Sequence, residues 1–401
     1  MIRYTIAFLI FIACGYGAFH FALQKSFVNP YPVVCELVAE KIYLDAKVVS
    51  DWRKTCLHRS RLVTPSSSKA LILKDLNNVL ALLNVSHLEI YNPSEVKEIW
   101  TGETKETGIE SQFVDSELVI FKIHPGSPAQ KLGLRVGDVV LKLNKEQPSP
   151  WTAQSESGNY EIKRGAKTWT VMMKPAKVVR DDKVVVRNVV TDKSVLKVPS
   201  FRAEFFTTSE IERMAASLQK TKLLVVDLRG NAGGNFVAGL RFLSLFMCQP
   251  TEIGSLVRPR FSGTKAELPD NLKDEEQVKV LDAHAQISLK TYARETCYQG
   301  KIRVLVDGQS ASVAEMVAQA LKERRGALIE GSPSRGQLLV GVWYPVEEIA
   351  DGVQISIPEA IYESAAKHRI EGQGVQLDKV LYYYLPEMQA GVDSWVKRAL
   401  D

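Results

Sequence analysis

The stretch "KIRVLVDGQSASVAEMVAQALKER", residues 301–324, reads as an apolar strand, a polar turn and an amphipathic helix. On the predicted helix one face carries apolar residues, namely Val313, Met316, Val317, Ala320 and Leu321. The same order occurs upstream, where the apolar "KLLVVDLRGNAGG" (222–234) precedes "FVAGLRFLSLFMC" (236–248). Continuous apolar strands that alternate with amphipathic helices predict a buried, largely parallel α/β core over residues 177–401.

A charged segment, residues 249–297, interrupts this order. It begins immediately after Cys248 and ends with Cys297. We therefore predict an insertion in the α/β core that these two cysteines hold.

Two further regions precede the α/β core. Residues 26–92 are predicted to be a helical N-terminal region, since "SSSKALILKDLNNVLALLNVSH" (66–87) carries an apolar stripe at helical spacing: Leu73, Leu76, Val79, Leu80 and Leu83. Pro93 ends that pattern. Residues 93–176 are predicted to be β-rich, because apolar residues alternate around Gly and Pro turns.

The first 25 residues, "MIRYTIAFLIFIACGYGAFHFALQK", form a nearly uncharged apolar segment after Arg3. Such a segment is typical of an export signal or a membrane anchor. A cleaved signal, a single anchor and a lipidated Cys14 remain open. Each predicts a periplasmic or membrane-anchored protein that faces outside the cytoplasm.

Four cysteines lie beyond that segment: Cys35, Cys56, Cys248 and Cys297. In an oxidising compartment, Cys35–Cys56 and Cys248–Cys297 are the natural pairs among three possible connectivities. The alternative is four buried free thiols, since free cysteine packs as a small hydrophobic residue.

Composition and motifs exclude several classes of function. The formal net charge is only +5 and basic and acidic residues are interleaved, so the basic stripe of a nucleic-acid-binding protein is missing. The sequence has no Gly-Lys-Ser/Thr phosphate loop, no HExxH and no paired CxxC. We therefore expect no cofactor, no metal and no nucleic-acid partner.

Ser312 has two possible roles. With Glu315 it forms the S-x-x-E pattern of a capping box, which is common at helix starts. A serine at a helix entry also lies where outward-pointing amides stabilise a developing oxyanion, so it could be a nucleophile. The two roles are compatible.

The β-rich region contains "HPGSPAQKLGLRVGDVVLKLN" (124–144), which resembles the circularly permuted PDZ domains of bacterial proteases. The resemblance implies that this module captures the C-terminal residues of a protein or peptide as an added strand, with the carboxylate on loop amides. Our candidate for that loop is Thr107, Gly108, Ile109 and Glu110. A purely structural β-module is the alternative.

Three further motifs resemble the tail-specific, carboxy-terminal-processing serine proteases: residues 307–337, "VVDLRGNAGG" (225–234) and "RIEGQGVQLD" (369–378). This resemblance implies a ClpP/crotonase-like protease core with Ser312 as the nucleophile. It also implies an oxyanion hole made by the amides of Gly233 or Gly234 and Val313.

Gln337 departs from the family pattern, because it stands where those proteases carry a lysine base. An amide cannot take a proton from a serine hydroxyl. However, "LNVSHLEIY" (83–91) resembles the segment that carries the catalytic histidine of tricorn-type core proteases. That resemblance implies His87 as base, Glu371 as the acid that orients it, and Ser86 as the bridge between them.

Each member of this triad has an ordinary alternative. His87 could cap the preceding helix, Glu371 could be a solvated carboxylate, and His368 is the rival base. The sequence as a whole predicts an exported serine endopeptidase that acts on protein substrates, and it leaves open whether the protein forms a homo-oligomer. The competing hypothesis is an inactive, protease-like PDZ scaffold that binds protein partners.

Overall fold

The computed structural model describes residues 27–401. Within that range the α-helices are α1 (Pro30–Lys41), α2 (Ala46–Arg59), α3 (Lys69–Leu80), α4 (Pro93–Thr101), α5 (Pro128–Lys131), α6 (Pro150–Ser155), α7 (Thr208–Leu218), α8 (Phe236–Ser244), α9 (Asp274–Ala283), α10 (Val313–Arg325), α11 (Leu385–Gln389) and α12 (Ser394–Leu400). Short 3₁₀ turns cover Ser60–Leu62, Ala81–Leu83 and Ala203–Phe205.

The strands in the same range are β1 (Glu89–Tyr91), β2 (Glu103–Glu106), β3 (Ile109–Val114), β4 (Glu117–Ile123), β5 (Val139–Leu143), β6 (Gly158–Arg164), β7 (Lys167–Met173), β8 (Ala176–Val179), β9 (Val185–Val190), β10 (Lys193–Lys197), β11 (Leu223–Asp227), β12 (Glu252–Val257), β13 (Lys265–Glu267), β14 (Gln286–Lys290), β15 (Lys301–Val306), β16 (Leu328–Gly331), β17 (Leu339–Pro345), β18 (Gln354–Ser364) and β19 (Lys379–Val380).

The described chain divides into two compact units. The first contains the described residues up to Val96 together with Val340–Ala360. The second contains Lys97–Leu339 and Ile361–Asp401.

Helices α1 to α3 build the core of the first unit, which confirms the helical N-terminal region. The Cys35–Cys56 disulfide joins α1 to α2 inside that core. One detail of the prediction is wrong, because helix does not continue to residue 92. Asn84 adopts a left-handed conformation that ends the helical segment, and β1 then pairs antiparallel with the start of β18.

The second unit begins with an antiparallel sheet in the order β3-β4-β5-β6-β7. Leu118, Ile120, Val140 and Tyr160 lie on its inner face and are buried. Phe121 lies on the other face and contacts Tyr383 edge to face, with ring centroids 4.3 Å apart. Both faces of this β-rich module are thus partly covered.

The α/β core lies in the same unit, and its mixed α/β character confirms the sequence prediction. Strands β10, β11, β15, β16 and β19 run parallel, with β9 antiparallel at the edge, in the order β19-β16-β15-β11-β10-β9. Helix α8 approaches α10 closely at Gly239, where an added Cβ would lie 2.6 Å from Val313 Cγ1.

The segment between Cys248 and Cys297 is closed by the second predicted disulfide. It supplies β12, β13, β14 and α9, and β12 pairs with Ile361–Ser364 of β18. The segment is therefore integrated into a sheet of the second unit as well as held by its cysteines.

Within residues 27–401, no helix has the length and apolar character that crossing a bilayer requires. The predicted export segment and Cys14 lie outside the described residues.

Candidate active site

Ser312 lies in the turn between β15 and α10, at the carboxyl end of a central parallel strand. Its backbone has φ 57° and ψ −126°, a conformation that non-glycine residues rarely adopt and that costs about 1–3 kcal/mol. The side chain is partly exposed, whereas Ala311 and Val313 on either side are buried. This turn therefore presents the serine while its neighbours anchor the backbone.

Glu315 organises the backbone around Ser312. Its carboxylate is fully buried and accepts the amides of Ser312 (3.0 Å), Gly336 (2.7 Å) and Gln337 (3.0 Å) and the hydroxyl of Ser334 (2.6 Å). Burial raises the pKa of this carboxyl, and the four donors oppose that rise. The capping-box pattern indicated only the bond to Ser312, so the role of Glu315 in holding a second loop was missed.

The glycine turn after β11 packs directly against the serine. A Cβ added to Gly233 would lie 2.7 Å from Ser312 Cβ and 3.0 Å from the Val313 amide nitrogen. Val313 is the first residue of α10, so its N–H has no partner within the helix. Glycine at 233 therefore keeps open the space next to a helix-terminal amide, as an oxyanion pocket requires.

The two predicted glycine donors differ in their contacts. The Gly233 amide donates to Asn231 Oδ1 at 2.8 Å, so it could serve an oxyanion only if that bond opened. The backbone of Gly234 bridges to Phe201, and a Cβ there would lie 2.6 Å from the Phe201 carbonyl. The Gly233 amide is thus already bound, and the Val313 amide lies beside Gly233, whereas a donor role for Gly234 stays a prediction.

A cluster of charges lies beneath the same turn, and sequence reasoning did not single it out. Arg229 binds the buried Asp227 with two bonds of 2.8 Å, and Lys197 lies 3.3 Å from the same carboxylate. Burial disfavours the charged Asp227, but Arg229 and Lys197 outweigh it and hold the pKa of that carboxyl below its usual range. Arg229 also binds Asp393, which ties the turn to the start of α12.

Gln337, which stands at the position of the expected lysine, lies beside the serine. Its carbonyl oxygen accepts the Ser312 amide at 3.0 Å, and its own amide donates to Glu315. Gln337 therefore lies directly beside the nucleophile candidate, and its correspondence to the family's lysine stays a prediction.

Glu371 and His368 belong to the same unit as Ser312. The Glu371 carboxylate accepts the amide of Leu338 at 2.8 Å. This acid therefore contacts the residue that directly follows Gln337. His368 Nε2 lies 2.9 Å from the Gly374 carbonyl oxygen. Because a carbonyl only accepts, Nε2 of His368 must carry a hydrogen, and only Nδ1 of this rival could act as a base.

His87 and Ser86 lie in the first unit, on the loop between the Ala81–Leu83 turn and β1. Ser86 Oγ is 2.8 Å from His87 Nδ1, and the histidine is partly exposed. His87 has φ 60°, another strained non-glycine conformation. The hydroxyl therefore contacts one ring nitrogen, and the role of Ser86 as a bridge to Glu371 stays a prediction.

The predicted carboxylate-binding loop begins at Thr107, which is buried. Its amide donates to the Gln154 carbonyl oxygen and its hydroxyl to the Ala153 carbonyl oxygen, both at 2.8 Å. Gly108 has φ +82°, and Ile109 begins β3. The first amide of this loop is thus already used by α6.

Glu110, the last residue of that loop, forms an internal ion cluster. Its Oε1 lies 2.7 Å from His124 Nε2 and 3.0 Å from Lys122 Nζ. Burial disfavours its charge, but His124 and Lys122 outweigh burial and lower the pKa of Glu110 to about 2. The role of this loop in binding a substrate carboxylate stays a prediction, and the structure adds that Glu110 within it is paired with His124 and Lys122.

Residues 193–381 match the model of peptidase family S41. The chain carries a peptidase family S41 domain. Its sequence is 27% identical over 353 residues to the carboxy-terminal-processing protease of Bartonella bacilliformis, covering 84% of this chain and 75% of that protein. It is 24% identical over 340 residues to the carboxyl-terminal-processing protease of a Picosynechococcus species, covering 80% of this chain and 75% of the relative.

The photosystem II D1 C-terminal processing protease has a similar fold. Its structure aligns with a TM-score of 0.58 at 19% identity and covers 93% of this chain and 98% of its own. The S41 domain contains the glycine turn, Ser312, Gln337 and Glu371, and these comparisons support a serine peptidase. Within residues 27–401, His, Cys, Asp and Glu side chains form no group of three or more that could hold a metal ion.

Proposed function

We propose that this S41 protein is an exported serine endopeptidase that cleaves protein substrates through an acyl-enzyme on Ser312. The observation that carries the proposal is the strained, partly exposed Ser312 beside the helix-terminal Val313 amide and the side-chain-free Gly233. We also propose that the parallel sheet and its helices form a ClpP/crotonase-like core. The two disulfides fit an extracytoplasmic location.

We propose His87 as the base, since Gln337 cannot accept the proton. In the productive tautomer, His87 Nδ1–H donates to Ser86 Oγ, and Ser86 donates its own proton to the Glu371 carboxylate. This leaves a lone pair on Nε2 of His87. The 2.8 Å contact between Ser86 and His87 supports this role, and a triad is defined by such roles rather than by chain order.

The proposed reaction has two halves. Ser312 Oγ attacks the peptide carbonyl carbon while His87 Nε2 takes the hydroxyl proton, and the amides of Val313 and Gly234 stabilise the oxyanion. His87 then returns the proton to the leaving amine as the C–N bond breaks, which leaves an acyl-Ser312 ester. Water, deprotonated by His87, then attacks that ester. The acid leaves as the C–Oγ bond breaks, and His87 returns the proton to Ser312 Oγ.

We further propose that the β-rich module is a PDZ domain that binds the substrate's C-terminal segment, with residues 107–110 near its carboxylate. The test compares kcat/KM for matched peptides with a free and an amidated C-terminus. A clear preference for the free carboxylate is expected. Equal kcat/KM values for the two peptides would contradict carboxylate capture and would leave the catalytic proposal unaffected.

A fluorophosphonate probe tests the catalytic proposal. The purified protein should be labelled on Ser312, as mass spectrometry of the digest can establish, and Ser312→Ala should abolish labelling. His87→Ala should reduce labelling by orders of magnitude, whereas His368→Ala should leave it near the parent rate. The reverse result for the two histidines would assign the base to His368.

Gln337 favours one alternative from another class, an inactive protease-like scaffold whose PDZ domain binds partners. A scaffold would show no labelling in the parent protein, and Ser312→Ala would not change partner binding. Gln337→Lys would then be the variant that gains labelling. For an active His87-based enzyme, the same substitution adds nothing that the reaction needs.

A further inference from the structure

The turn that follows β11 (residues 228–234, the glycine turn) carries the predicted glycine donor, and the turn that follows β15 (residues 307–312, the serine turn) leads to Ser312 and the Val313 amide. These strands are parallel neighbours, paired from Leu223↔Lys301 to Asp227↔Leu305, so both turns emerge at the same edge of the sheet. Just past the last paired residues, the Leu228 amide still donates to the Leu305 carbonyl oxygen at 2.9 Å. Farther along, side-chain and backbone bonds between the two turns connect them directly.

Ser310 and Ala311 supply two of these bonds. Ser310 Oγ donates to the Leu228 carbonyl oxygen at 2.9 Å, and the Ala311 amide donates to the Asn231 carbonyl oxygen at 2.9 Å. Ser310, the first serine of the S-A-S sequence, is thus structural, in contrast to Ser312.

Asp307 supplies the third connection, in which one carboxylate oxygen accepts amides from both turns. Its Oδ1 accepts the amide of Gly230 from the glycine turn at 3.0 Å, and the amides of Gln309 (3.0 Å) and Ser310 (3.1 Å) from the serine turn. The side chain is only 4% exposed. Its Oδ2 lies 3.4 Å from Gln112 Nε2 on β3, and Asp307 is among the residues that line a cavity of about 310 Å³ between the β-rich module and the core.

We propose that Asp307 is a positioning residue for catalysis: it fixes the glycine turn, residues 228–234, relative to the serine turn, residues 307–312. An ionised carboxylate suits this task, because charge-assisted bonds to amides are roughly twice as strong as neutral ones. Asp307 touches no reacting atom. It acts through the backbone of both turns, where a displacement of about 1 Å is enough to cost about 100-fold in rate.

Two substitutions of Asp307 and one control distinguish the effect of its bonds to the turns from the effect of its charge and from a general loss of protein stability. Asp307→Ala removes all three amide contacts, whereas Asp307→Asn keeps an oxygen for them and loses the charge. Asp138→Ala is the matched control: Asp138 is 1% exposed, accepts the Arg135 amide at 2.8 Å and binds Arg164, but lies in the β-rich module. Its loss should lower stability without disturbing the two turns.

The first readout is amide hydrogen exchange of the full-length protein, followed in peptides that cover residues 228–234 and 307–312. Asp307→Ala should increase exchange in both peptides by roughly tenfold or more, since lost buried bonds cost about 1–3 kcal/mol. Asp307→Asn should fall between this variant and the parent, and Asp138→Ala should match the parent. Unchanged exchange in Asp307→Ala would overturn the inference.

The second readout rests on the proposed function and measures kcat and KM per folded molecule. Asp307→Ala should lower kcat by about 100-fold, as losing an aligned oxyanion donor does, while KM changes little. Asp307→Asn should recover most of that loss. A fall in activity that only follows the unfolded fraction, as in Asp138→Ala, would contradict a catalytic positioning role.

The two readouts distinguish this inference from the proposed function. If the parent protein is not labelled by the fluorophosphonate, the peptidase proposal fails, while hydrogen exchange still decides whether Asp307 fixes the turns. If the parent is active and Asp307→Ala is equally active, only the inference fails.

Discussion

Gly233→Ala is the substitution whose effect the structure specifies best. The new Cβ would lie 2.7 Å from Ser312 Cβ and 3.1 Å from the Ala311 carbonyl oxygen, well inside the ~3.5–4.0 Å of a normal carbon contact. Gly233 also has φ +101°, which L-residues rarely adopt. Backbone strain of about 1–3 kcal/mol and overpacking of about 1–3 kcal/mol give a loss of stability of about 2–6 kcal/mol.

The loss of activity should exceed what instability explains. Moving Ser312 away from Gly233 also moves it relative to the Val313 amide, so labelling of the folded protein should slow by about 100-fold or more. Urea unfolding gives the stability, and fluorophosphonate labelling at fixed folded fraction gives the rate.

Gly326→Ala provides a control on the same helix. Gly326 ends α10 with φ +61°, but its Cβ would meet no atom within 4 Å. This change should cost only about 1–2 kcal/mol of backbone strain and leave the labelling rate unchanged. If Gly233→Ala labels at the parent rate and is no less stable than Gly326→Ala, the packing of the glycine turn against the serine is wrong.

Three further predictions concern charge and cross-links. Glu315→Gln should slow labelling about tenfold or more, because one amide oxygen cannot replace a carboxylate that accepts four donors; a normal rate in the folded variant would contradict this role. Glu110, with its pKa lowered from 4.5 to about 2, contributes stability that is fully present above about pH 4.5 and is lost as the pH falls toward 2; Glu110→Gln should therefore flatten the fall in urea-unfolding free energy between pH 5 and pH 3, and an unchanged slope would exclude it. Replacing Cys248 and Cys297 by alanine should lower the free energy of unfolding by about 4 kcal/mol, because their disulfide spans 49 residues; replacing Cys35 and Cys56, whose disulfide spans 21 residues, should lower it by about 3 kcal/mol. A larger loss for the Cys35–Cys56 pair in urea unfolding would contradict the loop-entropy argument.

The elements that the sequence predicted well are those whose local signal agrees with their tertiary environment. The apolar runs at 223–227 and 301–306 became central parallel strands, because a strand buried on both faces needs no alternation. The helical stripe before His87 was also informative, and Leu76, Val79 and Leu80 are buried as expected. The end of that helix was less predictable, since Asn84 stops it in a conformation that asparagine adopts only in some contexts.

Residues that act through the backbone were harder to find. Asp307 and Glu315 bind amides, and every residue except proline offers the same amide, so no spacing of side-chain types indicates such a contact. Asp227 and Arg229 were visible as a motif, but their burial and their link to Asp393 depend on contacts across more than 160 positions. Chemistry-bearing side chains leave a pattern in the sequence, whereas the scaffold that positions them emerges only from the fold.

Gln337 shows how that difference bears on function. The backbone of position 337 remains bound to Ser312 and Glu315, so the loop keeps its place whichever side chain it carries. Replacing a lysine there would remove the proton acceptor without loosening the nucleophile or the oxyanion turn. Under the proposed mechanism, such a site can accept a base from another segment. The backbone of Ser312, the helix-terminal Val313 amide and the space beside Gly233 are held by contacts that do not involve the side chain of residue 337.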